Sequence, residues 1–459
     1  MGRLSPLDAS WLTLESPEKP MHVATLAIFS LPEDAPRNFM QQLYKRFRTL
    51  DGIARPFNQK LSAPNATFPS WVEDRDIDID YHVRLSALPK PGGEKELMIL
   101  ISRLHGSLLD RTRPLWECHL IEGLKGRRFA VYTKMHHSMI DGVAGMKLVQ
   151  ASFSTDPKVE VKPPFEKGAR PEKPRNSTVS QTSDVMRGAL TQTMAQLKTL
   201  PGLARTFNSM RKSLGNRSGG KGVVPYQAPR TPLNMPISGQ RLFVVKSFQL
   251  DDIKAIGKAT GSTVNDVVLA LCAGCLRRYL LEHETLTEIP LIADVPVSVR
   301  PEGSEGGNAI SVILASLATN VEDPLQRLKV IRESMQAGKQ QLQQMSHTEI
   351  NNYTMLVMLP YTIGQLIGTA GKVRPMFNVV ISNVPGPKQP LYFNGARMEA
   401  LYPVSLLFNG QAFNITTTSY VDTLDFGFTA CRRTMPKVTQ LPRYISEAMK
   451  ELQQAIDKA

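Results

Sequence analysis

His136-His137-Ser138-Met139-Ile140-Asp141-Gly142 follows an apolar run, Arg128-Phe129-Ala130-Val131-Tyr132-Thr133. The run reads as a buried strand, and Gly142 to Phe153 reads as a helix. Side chains alternate along a strand, so two adjacent histidines at its end point to opposite faces. Only one imidazole can then enter a given cleft. Histidine titrates near neutrality and is well suited to take a proton from a hydroxyl. Asp141, four residues on, is close enough to influence the turn and the imidazole. Gly142 permits backbone geometry that a larger residue resists.

Working outward, strand and helix signals alternate to about residue 160. Met21 to Phe29, Trp116 to Leu120 and Arg128 to Met135 read as strands. Pro36 to Leu50 and Glu94 to Leu108 read as helices, the first with Phe39, Leu43, Phe47 and Leu50 on one face. A second alternating part begins near Gln240. Leu242 to Leu250, Leu291 to Val299, Ala309 to Ala318, Phe377 to Ile381, Leu391 to Phe393, Phe413 to Tyr420 and Asp425 to Cys431 are its strands. Its helices are Asp251 to Thr260, Thr263 to Leu281, Pro324 to Leu342 and Val438 to Ala459. The fold class is therefore mixed α/β (α+β), with two related halves facing each other across a cleft. The divisions expected are residues 1–160, a linker over 161–239, and 240–459.

The linker carries the charge. The chain has a net charge of +14, and residues 162–222 hold twelve Lys or Arg against three acids, most of that excess. Within it Met186, Leu190, Met194, Leu197, Leu200, Leu203, Phe207, Met210 and Leu214 recur every three or four residues, broken at Pro201-Gly202. Such a basic amphipathic stretch suits an anionic membrane surface, or packing across the two halves; both readings stand. Gly215 to Gly222 nearly spells a phosphate-binding loop, but Gly222 replaces the hydroxyl residue and no buried strand precedes it. No Gly-x-Ser-x-Gly elbow is present.

Hydrophobic residues make up 42% and charged residues 21%, which is globular. The first residues contain no apolar signal-like run, and Pro6 stands where a myristoylation signal wants a small hydroxyl residue. Cys272 and Cys275 lie inside an apolar helical run and read as core residues rather than a redox or metal pair. A reducing cytoplasm is the simplest compartment. Ile350 to Gly371 holds no charged residue but is interrupted by Pro360, Gly364 and Gly368, so it reads as a core helix pair or as an apolar surface meeting acyl chains. The positive charge alone admits nucleic acid, but no recognition motif for it is present.

His-His-x-x-x-Asp-Gly resembles the signature of the CoA-dependent acyltransferase superfamily. Leu4-Ser5-Pro6-Leu7-Asp8, Pro20-Met21-His22-Val23, Pro114-Leu115-Trp116, Asn265-Asp266-Val267-Val268-Leu269-Ala270 and Ser382-Asn383-Val384-Pro385-Gly386-Pro387 narrow it. Together they resemble the bacterial wax ester synthase/diacylglycerol acyltransferase family, from the N-terminus to the final strands. The resemblance implies two chloramphenicol-acetyltransferase-like domains with a tunnel between them. It implies acyl-CoA as co-substrate, no bound cofactor or metal, and a long-chain alcohol or diacylglycerol as acceptor. Peripheral contact with the inner face of the membrane or with lipid inclusions is the expected location.

His137 is the expected general base, with His136 supporting the strand end by hydrogen bonding. Asp141 either orients the imidazole or, as the superfamily resemblance favours, pairs with an arginine, for which Arg300 is the candidate. Pro114, Leu115 and Trp116 read as architecture: a turn and a large anchoring aromatic. Asn265 and Asp266 follow a helix start at Ser262-Thr263 and either shape the site or cap the helix. Ser382 and Asn383 end a strand and are candidates to donate to a tetrahedral oxyanion. Two other functional readings remain: a different alcohol or amine acceptor, and a non-enzymatic coat on lipid inclusions.

Overall fold

The computed structural model describes residues 2–458 except 5, 65, 67, 68, 141, 169–222, 224, 299–309 and 346. Asp141, Arg300 and the amphipathic stretch of the linker lie outside the described residues.

Two six-stranded sheets organise the molecule. In the first, the order is Tyr392–Phe393, Ala396–Val404, His22–Ser30, Arg128–His136, Trp116–Leu124 and Val83–Ala87. Only the pair Val83–Ala87 and Trp116–Leu124 is parallel. In the second, the order is Ile310–Ser316, Ile292–Ser298, Val379–Val384, Phe413–Tyr420, Thr423–Cys431 and Arg241–Gln249. Val379–Val384 runs parallel to both of its neighbours there. A small sheet of Gly2–Arg3, Ser70–Glu73 and Gln59–Leu61 stands apart.

The period of two decides what each sheet faces. Along Arg128–His136, Phe129, Val131 and Met135 pack with Ala27, Phe29 and Phe47. Ala130 and Tyr132 pack on the other side with Leu26, Ile28 and Ile101. In the second sheet, Ala293, Val295, Val379, Ile381 and Ile415 enter a core with helix Val264–Glu282. That helix is buried along most of its length, with Cys272 and Cys275 fully enclosed. Helices Leu250–Thr260, Pro324–Gln343 and Leu441–Asp457 pack against it. Among the described residues no single helix is long and apolar enough to cross a membrane; the bent pair Leu250–Thr260 and Val264–Glu282 meets that test only by composition.

Two paired strands, Tyr392–Phe393 and Ala396–Val404, cross from the later part of the chain into the first sheet. Ala396–Val404 pairs antiparallel with His22–Ser30, Val404 opposite Ala24. Its side chains and backbone also bind the second sheet. The Leu401 N–H donates to Asp425 Oδ2 (2.9 Å), and Ser247 and Tyr402 join their hydroxyls (2.9 Å). A division of the chain at residue 240 does not anticipate this exchange. The strand leaves a local signal that the sequence reading passed over, buried Ala396, Met398 and Ala400 alternating with exposed Arg397 and Glu399, and only Pro403 counts against it. Ile350 to Gly371 is also simpler than expected: a helix His347–Leu366 runs through Pro360.

Behind the first sheet lies a buried charged cluster. Lys134 donates to the carbonyls of Leu104 and Ser107 (both 3.1 Å) and sits 3.2 Å from Glu117, which also meets His119 and Arg84. Burial pushes the Glu117 carboxyl up, but the His119 hydrogen bond, Lys134 and Arg84 outweigh it and hold it at about 2, below its ordinary 4.5. A depressed carboxyl stabilises the fold above its unfolded pKa, and the contribution fades as pH falls towards the folded value. Glu117→Gln is expected to cost about 2–3 kcal/mol at neutral pH. The deficit should shrink between pH 4.5 and 2 in denaturant titrations. A deficit independent of pH would contradict this account.

Candidate active site

A cavity of about 440 Å³ lies between the two sheets, within the usual size range of small-molecule sites. From the first sheet Val23, Thr25, Ala27, Val131, Thr133, Met135 and His137 line it. These are alternate residues of two neighbouring strands, so one face of the sheet forms the wall. Helix Gly142–Ala151 adds Gly145, Met146 and Leu148, and helix His347–Leu366 adds Met358 and Tyr361. The second sheet contributes Asp294, Pro296, Val380, Ser382, Val384, Asn414 and Thr416. Most of the lining is apolar, so a long hydrocarbon chain fits its chemistry.

The two histidines part as alternation requires. His136 is fully buried, and its N–H donates to the Leu115 carbonyl (3.0 Å). Its Nδ1 accepts from the Ser138 N–H (3.1 Å) and lies 2.7 Å from Ser138 Oγ. An accepting Nδ1 places the ring proton on Nε2. That nitrogen is 3.4 Å from Glu15 Oε1, within electrostatic reach but misaligned for a hydrogen bond. Burial opposes ionisation of Glu15, yet His136, the Met21 N–H and Arg111 hold its carboxyl below its ordinary value.

His137 turns the other way, into the cavity. Its N–H donates to the Met21 carbonyl (2.8 Å), which ties it to the strand next door. Its ring stacks on Trp11, with centroids 4.1 Å apart and planes at 26°. Trp11 belongs to helix Pro6–Leu14 and also meets Phe408 at 6.0 Å. The sequence reading missed Trp11; the resemblance of Leu4 to Asp8 pointed to this segment but not to a side chain.

The remaining expected residues divide clearly. Trp116 is fully buried and donates from Nε1 to the Phe57 carbonyl (2.8 Å), between stacked His82 and Phe165 rings. Leu115 is buried beside it, and Pro114 accepts a turn bond from Trp116. Gly142 begins its helix. Asp266 completes a capping box: its Oδ2 accepts from the Thr263 N–H (2.9 Å), and Thr263 Oγ1 accepts from the Asp266 N–H (3.2 Å). Asp266 caps this helix start; neither Asn265 nor Asp266 is among the residues lining the cavity. Ser382 does line it, but Asn383 points away and accepts from Thr417 Oγ1 (3.2 Å). Adjacent strand residues cannot both face one cavity. Gly386 follows because a Cβ there would collide with the Ser419 carbonyl oxygen.

An apolar cavity between two mixed sheets, with one imidazole presented at a strand end, is the architecture of an acyl-transfer enzyme. The wax ester synthase/diacylglycerol acyltransferase catalytic domain matches residues 4–268, and the C-terminal domain of the same family matches residues 306–453. The chain belongs to this family and is an acyltransferase. It is 43% identical to the O-acyltransferase WSD of Acinetobacter baylyi over 461 residues, covering 100% of this chain and 98% of that one. The solved wax ester synthase/diacylglycerol acyltransferase from Marinobacter aquaeolei VT8 is 39% identical and superposes with a TM-score of 0.81, covering both chains in full. The first condensation domain of the CDA synthetase shares the fold at 14% identity, with a TM-score of 0.56 over 98% of this chain and 96% of that one.

Proposed function

We propose that this chain transfers a long-chain fatty acyl group from acyl-CoA to the hydroxyl of a long-chain alcohol, giving a wax ester, or of diacylglycerol, giving triacylglycerol. The observation that carries the reading is His137, set at a strand end and facing an apolar cavity between the sheets. His137 takes the proton as the acceptor oxygen bonds to the thioester carbonyl carbon. The tetrahedral intermediate collapses, the C–S bond breaks, and the CoA thiolate recovers the proton from the imidazolium. Ester and free CoA thiol leave. His136 and its Glu15 contact fix the strand end, and Trp11 holds the His137 ring. Ser382, which lines the cavity, helps stabilise the oxyanion.

Product analysis with palmitoyl-CoA and hexadecanol, a diacylglycerol or hexadecylamine tests the acceptor class. Ester products with the two alcohols support the reading; amide as the dominant product contradicts it. Trp11→Ala is expected to lower kcat by about ten-fold or more, since a misplacement of ~1 Å can cost up to about 10²-fold. Unchanged kcat in that variant would remove Trp11 from the positioning of His137.

The protein works at the inner membrane face or on lipid inclusions in the cytoplasm. The basic amphipathic linker supports this, as do exposed Leu366, Ile367 and Val373 beside exposed Lys372 and Arg374. Deleting residues 183–214 is expected to weaken binding to anionic vesicles in flotation assays. Undiminished binding would assign that stretch to packing instead.

A further inference from the structure

The second sheet puts an acid where an acyl chamber has no use for one. Asp294 is 4% exposed, lines the cavity, and its Oδ1 has no hydrogen-bond partner. It sits in the middle of strand Ile292–Ser298, opposite Leu314 on one neighbour and Val380 on the other. Val380 in turn lies opposite Asn414. The same face carries Ser382 opposite Thr416 two residues further along. Asp294, Asn414, Ser382 and Thr416 thus form a polar patch on an otherwise apolar wall. Asn414 Oδ1 accepts from Thr416 Oγ1 (2.8 Å), and the Thr416 and Ser405 hydroxyls meet at 2.7 Å, so the Asn414 oxygen and both hydroxyls are engaged. Asp294 is left with unmet capacity facing the cavity.

A buried, unpartnered carboxyl is costly, and such a group persists where a ligand completes it. A straight-chain alcohol cannot do so, because its single hydroxyl reacts at His137. A diacylglycerol carries two ester carbonyls a few atoms from the reacting hydroxyl. Resting on the reading above, we infer that Asp294 is an acceptor-specificity residue that, as the neutral acid, donates a hydrogen bond to an ester carbonyl of diacylglycerol. Burial pushes its carboxyl up to about 7, which keeps the donating form populated near neutrality. Tyr361, close enough to feel its charge, donates instead to Gln411 Oε1 (3.3 Å).

The test compares kcat/KM for a diacylglycerol and for hexadecanol, both with palmitoyl-CoA, in wild type, Asp294→Asn and Asp294→Leu. Asparagine keeps a donor at the same place and should hold the diacylglycerol-to-hexadecanol ratio within about threefold of wild type. Leucine removes the donor and should lower the ratio by about ten-fold or more. Thermal melts at pH 8 accompany the kinetics. A carboxyl with a raised pKa penalises folding above its ordinary value, so neither variant should melt below wild type. Equal losses on both acceptors would overturn the inference, by assigning Asp294 to the CoA arm or the fold. An unchanged ratio in Asp294→Leu would overturn it as well. Absence of wild-type activity with both acceptors would instead sink the acyltransfer reading beneath it.

Discussion

His137→Ala is expected to lower kcat/KM by about 10²–10⁴-fold on every acceptor, the usual contribution of a positioned general base. The melting temperature should move little. His137 is only partly buried, and its backbone bond to Met21 survives the substitution. The matching variant on the opposite face should behave differently. His136 is fully buried and bonded to Ser138, so His136→Ala opens a buried cavity, removes the acceptor of the Ser138 N–H and should destabilise the fold. Equal melting and equal activity loss in the two variants would contradict the division of labour between them.

Trp116→Ala is expected to cost about 3–5 kcal/mol, the range for removing a large buried aromatic. The indole fills the space between His82 and Phe165 and bonds the Phe57 carbonyl. It is also linked to the site. Trp116 stands opposite Met135, and the Leu115 carbonyl beside it receives the His136 N–H. Collapse there would shift the strand end that presents His137, so activity should fall along with stability. Urea denaturation measures the first effect and kcat the second. A loss below 1 kcal/mol would show that the surrounding rings repack.

The strand and helix around the histidine pair were legible because their signals are local. Apolar alternation over Arg128 to Thr133 and the divergence of adjacent side chains need no distant partner. The same rule, applied to Ser382 and Asn383, would have separated the residue facing the cavity from the one facing away. The exchange of Ala396–Val404 was not legible, because which sheet accepts a strand depends on contacts across hundreds of residues. Trp11 was hidden for the same reason: its role comes from a ring contact between distant segments. Asp294 left a signal that went unused, a lone acid inside the apolar strand Leu291 to Val295. Asn265 and Asp266 matched a family motif by sequence, and Asp266 caps the helix that begins there.

Release of CoA thiol from palmitoyl-CoA by the purified full chain, with and without hexadecanol and with lipid products separated alongside, tests the central claim most directly. The expected result is hexadecanol-dependent thiol release matched by an equal amount of ester, both lost in His137→Ala. Thiol release that ignores the alcohol, or ester formation that survives His137→Ala, would contradict acyl transfer at this site.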